Sequence, residues 1–484
     1  MDDFLDFSWQ TRQYQEQRIA YWNMVAMKKT IHGGGSKEYH RRLQEIFQFH
    51  IAPNLRVIEI GCGEGDLLAS VHPSYGLGID FSTNMIQRAR ELHPDLDFLC
   101  ADGLTFTTED CFDVVILSDL VNDVWDVQTL LEQIRHYTHK TTRIVLNFYS
   151  RLWTPVLRTA EWLGLAQKTM EQSWLTREDI DNLLSLTGFE VIFSSSEVLL
   201  PLSIPLLREF CNKFMVRIWP FNHFALTNLV IARLNPGTWK EPASQLPSVT
   251  VVVPARNESG NIENIFKRLP QMGSHTELVF VEGNSNDDTY QEIERQMKLC
   301  PELDSKLFKQ SGKGKGNAVC LGFEHARGDI LMILDADLTV PPEYLPRFYH
   351  SLVSHTGEFI NGVRLVYPME KQAMRLINFL GNKFFSLTFS WLLNQPVKDT
   401  LCGTKALYRQ DYLKIAENRA YFGDFDPFGD YELLFGAARL HLKIVDLPIR
   451  YQERTYGTTN IQRWIHGWLL IRMVVFAALR LKFT

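Results

Sequence analysis

Residues 57–68 read Val-Ile-Glu-Ile-Gly-Cys-Gly-Glu-Gly-Asp-Leu-Leu. An apolar, strand-forming run leads into Gly61, Gly63 and Gly65, and a helix-forming run follows. Without a Cβ atom the backbone there can take unusual dihedrals and come close to a ligand. The spacing is Gly-x-Gly-x-Gly, not the Gly-x-Gly-x-x-Gly of dinucleotide-binding turns. A plain tight strand-to-helix turn would also use glycine, so the surroundings must decide. Further short strands rich in β-branched residues are Tyr75–Asp80, Leu96–Asp102, Phe112–Ser118 and Thr142–Tyr149, with helix-like segments such as Thr83–His93 and Val127–Thr138 between them. Strands joined by helical crossovers imply a largely parallel sheet. Ligands on such sheets sit at the carboxyl ends of the strands.

The same alternation restarts after a Pro- and Gly-containing break, Asn235–Pro247, where helix and strand are both disfavoured. Strands Val249–Pro254, Glu277–Gly283 and Asp329–Asp335 alternate with helical segments Ile262–Gln271, Thr289–Lys298 and Gly316–Ala326. The division gives a first domain over 1–236 (core 56–234), a linker at 237–247 and a second domain over 248–484, each of a size that suits one α/β domain. The chain has 484 residues, 45% hydrophobic and 22% charged, enough to bury two cores. Its net charge of -6 argues against a nucleic-acid binder. Seven dispersed Cys without a Cys-x-x-Cys pair fit a reducing compartment better than disulfides or a zinc site. The acidic start Met1–Gln10 lacks the features of a secretory signal, and no uncharged apolar run is long enough for a simple transmembrane span.

In the first half the strand ends carry the chemistry. Asp80 can accept both hydroxyls of a ribose, and Asp102 is positioned to meet an adenine amino group. With the Gly turn and the fourth strand end, Ser118-Asp119, these residues resemble class I S-adenosylmethionine-dependent methyltransferases over roughly 56–234. The resemblance implies a Rossmann-like domain. In it Glu59, Gly61, Gly63, Gly65, Asp80, Asp102 and Ser118 bind S-adenosyl-L-methionine, with Glu59 standing where many members have Asp. Asp119, Asn122, Asp123 and Tyr149 are candidates near the methyl acceptor, where in-line transfer needs a positioned nucleophile and sometimes a base. The fourth strand is followed by Ser-Asp-Leu-Val-Asn-Asp, not an amide-methylating Asn-Pro-Pro-Tyr motif, which favours O-methylation.

In the second half, three strand ends carry Pro254-Ala255-Arg256-Asn257-Glu258, Glu282 through Thr289, and Asp335-Ala336-Asp337. Two carboxylates on one face of a strand repel and call for a cation. Oxygen ligands suit a hard divalent ion, Mg or Mn, whose shell a diphosphate completes. Ser311–Val319 sets Lys313 and Lys315 between glycines ahead of a helix, an arrangement suited to a diphosphate. Together these stretches, with 335–348, 374–409 and 443–461, resemble family 2 nucleotide-sugar glycosyltransferases of the GT-A fold, most closely polyprenyl-phosphate sugar synthases. The resemblance implies that Pro254, Ala255, Glu258, Glu282 and Asp287 hold the nucleoside, and that Asp335 and Asp337 hold metal and diphosphate. Arg454 survives from a late Arg-x-x-Gly-x-Ser-Lys motif whose Lys is Asn460 here, and Thr339 stands where a Gln ligand is common. A lipid-phosphate acceptor needs no base. A hydroxyl acceptor does, and Asp430 and Glu432, with Asp399 nearby, are its candidates. Either route inverts the anomeric centre.

Three apolar stretches remain. Val198–Phe224 interrupts the last hairpin of the first domain, as a cap, an interdomain contact or a membrane-surface insertion. Phe379–Leu393 and Ile461–Thr484 are apolar and aromatic and carry interspersed cations, fitting a headgroup zone or helix packing. The expectation is a bifunctional enzyme, peripheral on the cytosolic membrane face, with a nucleotide-sugar donor and a polyprenyl-phosphate or glycolipid acceptor.

Overall fold

The computed structural model describes residues 2–27, 34–162, 170, 173, 175–202, 204, 206–238, 246–364, 376–419, 431–450, 452, 454, 456 and 463–483. The chain divides between Lys240 and Glu241 into two compact units.

The first unit is built on β1 (Arg56–Ile60), β2 (Tyr75–Asp80), β3 (Asp97–Cys100), β4 (Phe112–Ser118), β5 (Thr138–Tyr149), β6 (Phe189–Glu197) and β7 (Thr227–Leu234). Their order in one sheet is β3-β2-β1-β4-β5-β7-β6. The first five strands are parallel, and β7 inserts antiparallel between β5 and β6. The segment 198–226 that joins β6 to β7 is the apolar interruption seen in the sequence. β1 and β4 are buried almost throughout because helices cover both faces. Two long helices, Asp2–Met27 and Gly34–His50, precede the sheet.

The second unit contains β8 (Val249–Ala255), β9 (Thr276–Glu282), β10 (Ser305–Lys309), β11 (Ile330–Ile333), β12 (Phe359–Val363), β13 (Lys405–Tyr408) and β14 (Ile444–Pro448), in the order β10-β9-β8-β11-β13-β12-β14. β8 to β11 form a parallel block, and β13 runs antiparallel to both of its neighbours. Within the parallel part of each sheet the strand order reverses once, between β1 and β4 and between β8 and β11. Helices leave on opposite faces at such a switch point, so a crevice opens beyond the strand ends. Both sets of motif residues lie there. Among the described residues no helix is long and apolar enough to cross a membrane, and the seven cysteines are free.

Gly273 shows how tightly the second core is closed. Its φ is 61°, and a Cβ there would strike the Pro247 carbonyl, which already accepts from Tyr349 Oη at 3.1 Å. Gly273→Ala is therefore expected to cost more than about 1 kcal/mol, read as a lower midpoint in urea denaturation.

Candidate active sites

In the first unit the turn after β1 is held open by backbone conformation. Gly63 has φ 54°, and a Cβ built on it meets nothing within 4 Å, so its face is free for a ligand. Its N–H donates to Asp80 Oδ2 at 3.0 Å, while Asp80 Oδ1 accepts from Ser82 N at 2.8 Å. Gly61 and Gly65 also have positive φ. Burial raises the Asp80 carboxyl above the usual range despite these two hydrogen bonds. Glu59 on β1 is 2% exposed, and burial pushes its carboxyl well up; its Oε2 has no partner in the structure. A buried acceptor left over beside an open glycine turn is what a polar ligand would satisfy.

Asp102, beyond β3, accepts from Leu104 N at 2.9 Å and from Gln15 Nε2 at 2.6 Å. Gln15 belongs to the first helix, which crosses the strand ends. On the same helix Asn23 Oδ1 accepts from Ser82 Oγ, and Arg18 and Trp22 hold Asp123 at 3.0 Å each. Asp123 and Asn122 thus have structural partners, since Asn122 binds Ser173 O and Tyr149 N. Ser118 ends β4, half-buried.

Asp119 sits one residue beyond β4 with φ 52°. Its Oδ1 accepts from Tyr39 Oη at 2.9 Å and Asn147 Nδ2 at 2.6 Å, and its Oδ2 from Tyr149 Oη at 3.3 Å. The rings of Tyr39 and Tyr149 stack with centroids 5.7 Å apart. Burial raises the carboxyl to about 6, with the three donors pulling the other way. Asn147 Oδ1 is buried without a partner. This ring of groups unites the ends of β4 and β5 with helix Gly34–His50.

In the second unit the turns after β8 and β9 are laced together. Asn257 N donates to Ser285 Oγ at 3.0 Å, Glu258 N to Thr289 Oγ1 at 2.9 Å and Ser259 N to Asp287 Oδ2 at 3.3 Å. Pro254 and Ala255 end β8 and form the floor. Glu282 is buried and caps its own turn through Ser285 N. Burial alone would raise Asp287; hydrogen bonds from Thr289 and Ser259 hold it below the usual range. Burial, with Asp337 and Asp287 nearby, lifts Glu258 to about 7 against the pull of Arg454 and Asn261.

Asp335 and Asp337 follow β11. Lys315, first residue of helix Lys315–Glu324, lies 2.6 Å from Asp335. Burial favours the neutral acid, but Lys315, then Lys405 and Arg364, hold Asp335 below its usual range. Asp337 accepts from Thr339 Oγ1 at 2.8 Å and from Arg454 at 2.6 Å; the same guanidinium reaches Glu258 at 3.5 Å. Gln452 N bonds Thr339 O, and Tyr456 Oη meets Ser259 Oγ at 3.0 Å, so residues 452, 454 and 456 lie along the site. Gly403 faces Asp335 and Lys315 so closely that any Cβ would collide with both. Lys313 is exposed nearby in sequence. Among the described residues no group of three or more metal-ligating side chains forms. The pair Asp335 and Asp337 still offers oxygen donors of the kind a hard cation takes, if a diphosphate supplies the rest.

The candidate bases fare differently. Asp430 lies outside the described residues. Glu432 pairs with Arg419 at 2.6 Å. Asp399 is buried in a two-pronged pair with Arg364, at 2.7 and 2.9 Å, and burial is outweighed so that its carboxyl stays low. Gln15, Tyr39, Asn147, Gly403 and Tyr456 were not singled out from sequence. Only Asn147, at the end of an apolar strand run, carried a local signal.

Residues 51–204 match the family model described as a methyltransferase domain, and residues 250–415 that of glycosyl transferase family 2. The dolichol-phosphate mannosyltransferase of Saccharomyces cerevisiae is 35% identical over 111 residues, 22% of this chain and 41% of that protein. The undecaprenyl-phosphate 4-deoxy-4-formamido-L-arabinose transferase of Shewanella sediminis is 36% identical over 221 residues, 44% of this chain and 61% of that protein. The chain thus spans about half the length of the curated relatives it matches. A solved complex of the Haloferax volcanii Trm112 methyltransferase activator with a methyltransferase aligns over 44% of this chain and 97% of its own, at 18% identity and TM-score 0.35.

Because Asp80 is fixed by the N–H groups of Gly63 in the glycine turn and of Ser82, Asp80→Asn is expected to weaken S-adenosylhomocysteine binding by roughly 10- to 100-fold in calorimetric titration. Gly403→Ala is expected to displace Lys315 and Asp335, and so to reduce nucleoside-diphosphate stabilisation in a thermal-shift assay.

Proposed function

We propose that this chain, which joins a methyltransferase domain to a family 2 glycosyltransferase domain, is a bifunctional enzyme. Its second unit transfers a sugar from a nucleotide donor to a polyprenyl phosphate or another lipid acceptor, with inversion. Its first unit transfers a methyl group from S-adenosyl-L-methionine to a hydroxyl in the same glycan or glycolipid pathway. It works as a peripheral protein on the cytosolic face of a membrane.

The observation that carries the glycosyl reading is the exchangeable charge at the β8/β11 switch point. Asp335 and Asp337 are balanced by the ammonium of Lys315 and the guanidinium of Arg454. A divalent ion held by Asp335 and Asp337 would neutralise the leaving diphosphate. Lys315 and Arg454 would then turn to the diphosphate oxygens, with Lys313 as a further cation of the same loop as Lys315. Glu258, Glu282 and Asp287 hold the nucleoside end. The acceptor oxygen attacks the anomeric carbon from the face opposite the diphosphate, so the configuration inverts. A phosphate acceptor is already anionic. Of the described candidate bases, Glu432 is paired with Arg419 and Asp399 with Arg364, which supports a phosphate acceptor over a hydroxyl; Asp430 lies outside the described residues.

In the first unit Glu59, Asp80 and Asp102 with the glycine turn hold the cofactor, which supplies the electrophilic methyl group. Asp119 takes the proton from the acceptor hydroxyl, and Tyr39, Tyr149 and Asn147 fix its orientation. A non-catalytic cofactor-binding module is the rival reading; the glycine turn serves either, and the base-like setting of Asp119 supports catalysis.

Two outcomes test this. A screen of nucleotide sugars against a short-chain polyprenyl phosphate with Mg or Mn is expected to give transfer that survives Asp430→Asn; no transfer to the phosphate, with transfer to a hydroxyl acceptor that Asp430→Asn abolishes, would move the reading to a hydroxyl acceptor. For methyl transfer, a carboxylate base with its pKa raised to about 6 is protonated, and inactive, below that pH. The rate should climb roughly tenfold per pH unit below 6 and level off above it, and Asp119→Asn should remove both the slope and most of the rate.

A further inference from the structure

Residues 452, 454 and 456 bridge the crevice of the second unit from one side to the other. On the β11 side, Gln452 N donates to the Thr339 carbonyl at 2.9 Å and Arg454 meets Asp337 at 2.6 Å. On the β8 side, the same Arg454 reaches Glu258 at 3.5 Å, and Tyr456 lies against the next two residues, Ser259 and Gly260. The bridge thus crosses the point between β8 and β11 where the strand order reverses. In the proposed reaction that is where the donor diphosphate lies.

The Tyr456 end of the bridge has a fitted seat. Its Oη lies 3.0 Å from Ser259 Oγ and donates to Asp287 Oδ2 at 3.4 Å. Its ring lies on Gly260: a Cβ built there would come within 2.5 Å of Tyr456 Cδ2 and 2.9 Å of Cε2 and Cγ. Any side chain at 260 would therefore push the ring off the first turn of helix Ser259–Arg268. Glycine is a poor helix former beside alanine. Gly260 is not among the glycines with positive φ, so the backbone does not call for it, whereas the ring does. Tyr456 is 39% exposed. It adds little to the core, and what the ring and the glycine fix together is the bridge.

We infer that Tyr456, seated on Gly260, is a positioning residue for the sugar donor: it holds Arg454, two residues before it, at the diphosphate end of the site. In the proposed reaction Arg454 leaves Asp337 and Glu258 when the metal-bound nucleotide arrives. A guanidinium on a segment tied down at Ser259 and Gly260 stays within reach of the diphosphate. On an untied segment it samples many conformations, and ordering it again costs affinity. Tyr456 acts through Arg454 and needs no contact with the reacting atoms. The inference rests on the glycosyl reading above, and the variants below separate its failure from the failure of that reading.

The full chain is titrated calorimetrically in Mn with ADP, CDP, GDP and UDP in turn, and the tightest binder serves for the variants. Arg454→Ala is expected to weaken binding roughly tenfold or more. Tyr456→Ala and Gly260→Ala should each lose on the order of tenfold, while Tyr456→Phe, which keeps the ring on Gly260, should stay within about threefold of wild type. Tyr456 and Gly260 make one contact, so the Tyr456→Ala, Gly260→Ala double variant should bind no more weakly than either single variant. Once Arg454 is replaced by Ala, Tyr456→Ala should cost nothing further. Gly260→Ala is expected to melt at or above the wild-type temperature, because alanine favours the helix, so its lost affinity is read at the site and not as lost fold. If Arg454→Ala weakens binding while Tyr456→Ala and Gly260→Ala bind like wild type, the inference falls and the donor-site reading stands. Additive losses in the Tyr456→Ala, Gly260→Ala double variant would also overturn it. A wild type that binds none of the four in Mn would overturn the reading and the inference together.

Discussion

Carboxylates gathered at strand ends repel one another, and each unit is organised by how it meets that repulsion. In the second unit the answer is resident cations. Lys315 sits on Asp335, and Arg454 spans Asp337 and Glu258. In the first unit, among the described residues, Glu59, Asp80 and Asp119 have neutral donors only, and burial raises all three. The contrast matches the charge of the proposed ligands. A cleft with unbalanced carboxylates suits a cationic sulfonium cofactor. A cleft holding displaceable ammonium and guanidinium groups suits an anionic diphosphate that arrives with its own divalent ion.

The parallel core of each sheet makes both arrangements possible. Strand order reverses between β1 and β4 and between β8 and β11, so the turns that follow these strands face an open crevice. Gly63 N–H reaching Asp80 is the first unit's version of this, and Ser259 N–H reaching Asp287 is the second's. In each case a backbone donor of one turn fixes a carboxylate of the next.

These strand-end features were legible in the sequence because they are local. A glycine run after an apolar strand, or Asp-x-Asp after Ile-Leu-Met-Ile-Leu, declares its position within a dozen residues. The groups that complete the sites come from far along the chain. Tyr39 is 80 residues from Asp119, Gln15 is 87 from Asp102, and Tyr456 is 197 from Ser259. No periodicity links such partners. Glu432 shows the converse: it reads as a free carboxylate until Arg419, 13 residues earlier, turns out to hold it. The apolar excess of Val198–Phe224 was likewise plain in the sequence, but its exposure was not, since the same composition would serve a buried cap.

In the proposed reaction Asp335 and Asp337 exchange their cations, Lys315 and Arg454, for a metal-bound nucleotide. Calorimetric titration of the full chain with nucleoside diphosphates, in Mn and then in chelator, tests it most directly. Tight binding of one nucleoside diphosphate is expected, requiring Mn and disappearing in the Asp335→Asn, Asp337→Asn variant. Affinity that is the same in chelator, or that the double variant retains, would contradict it.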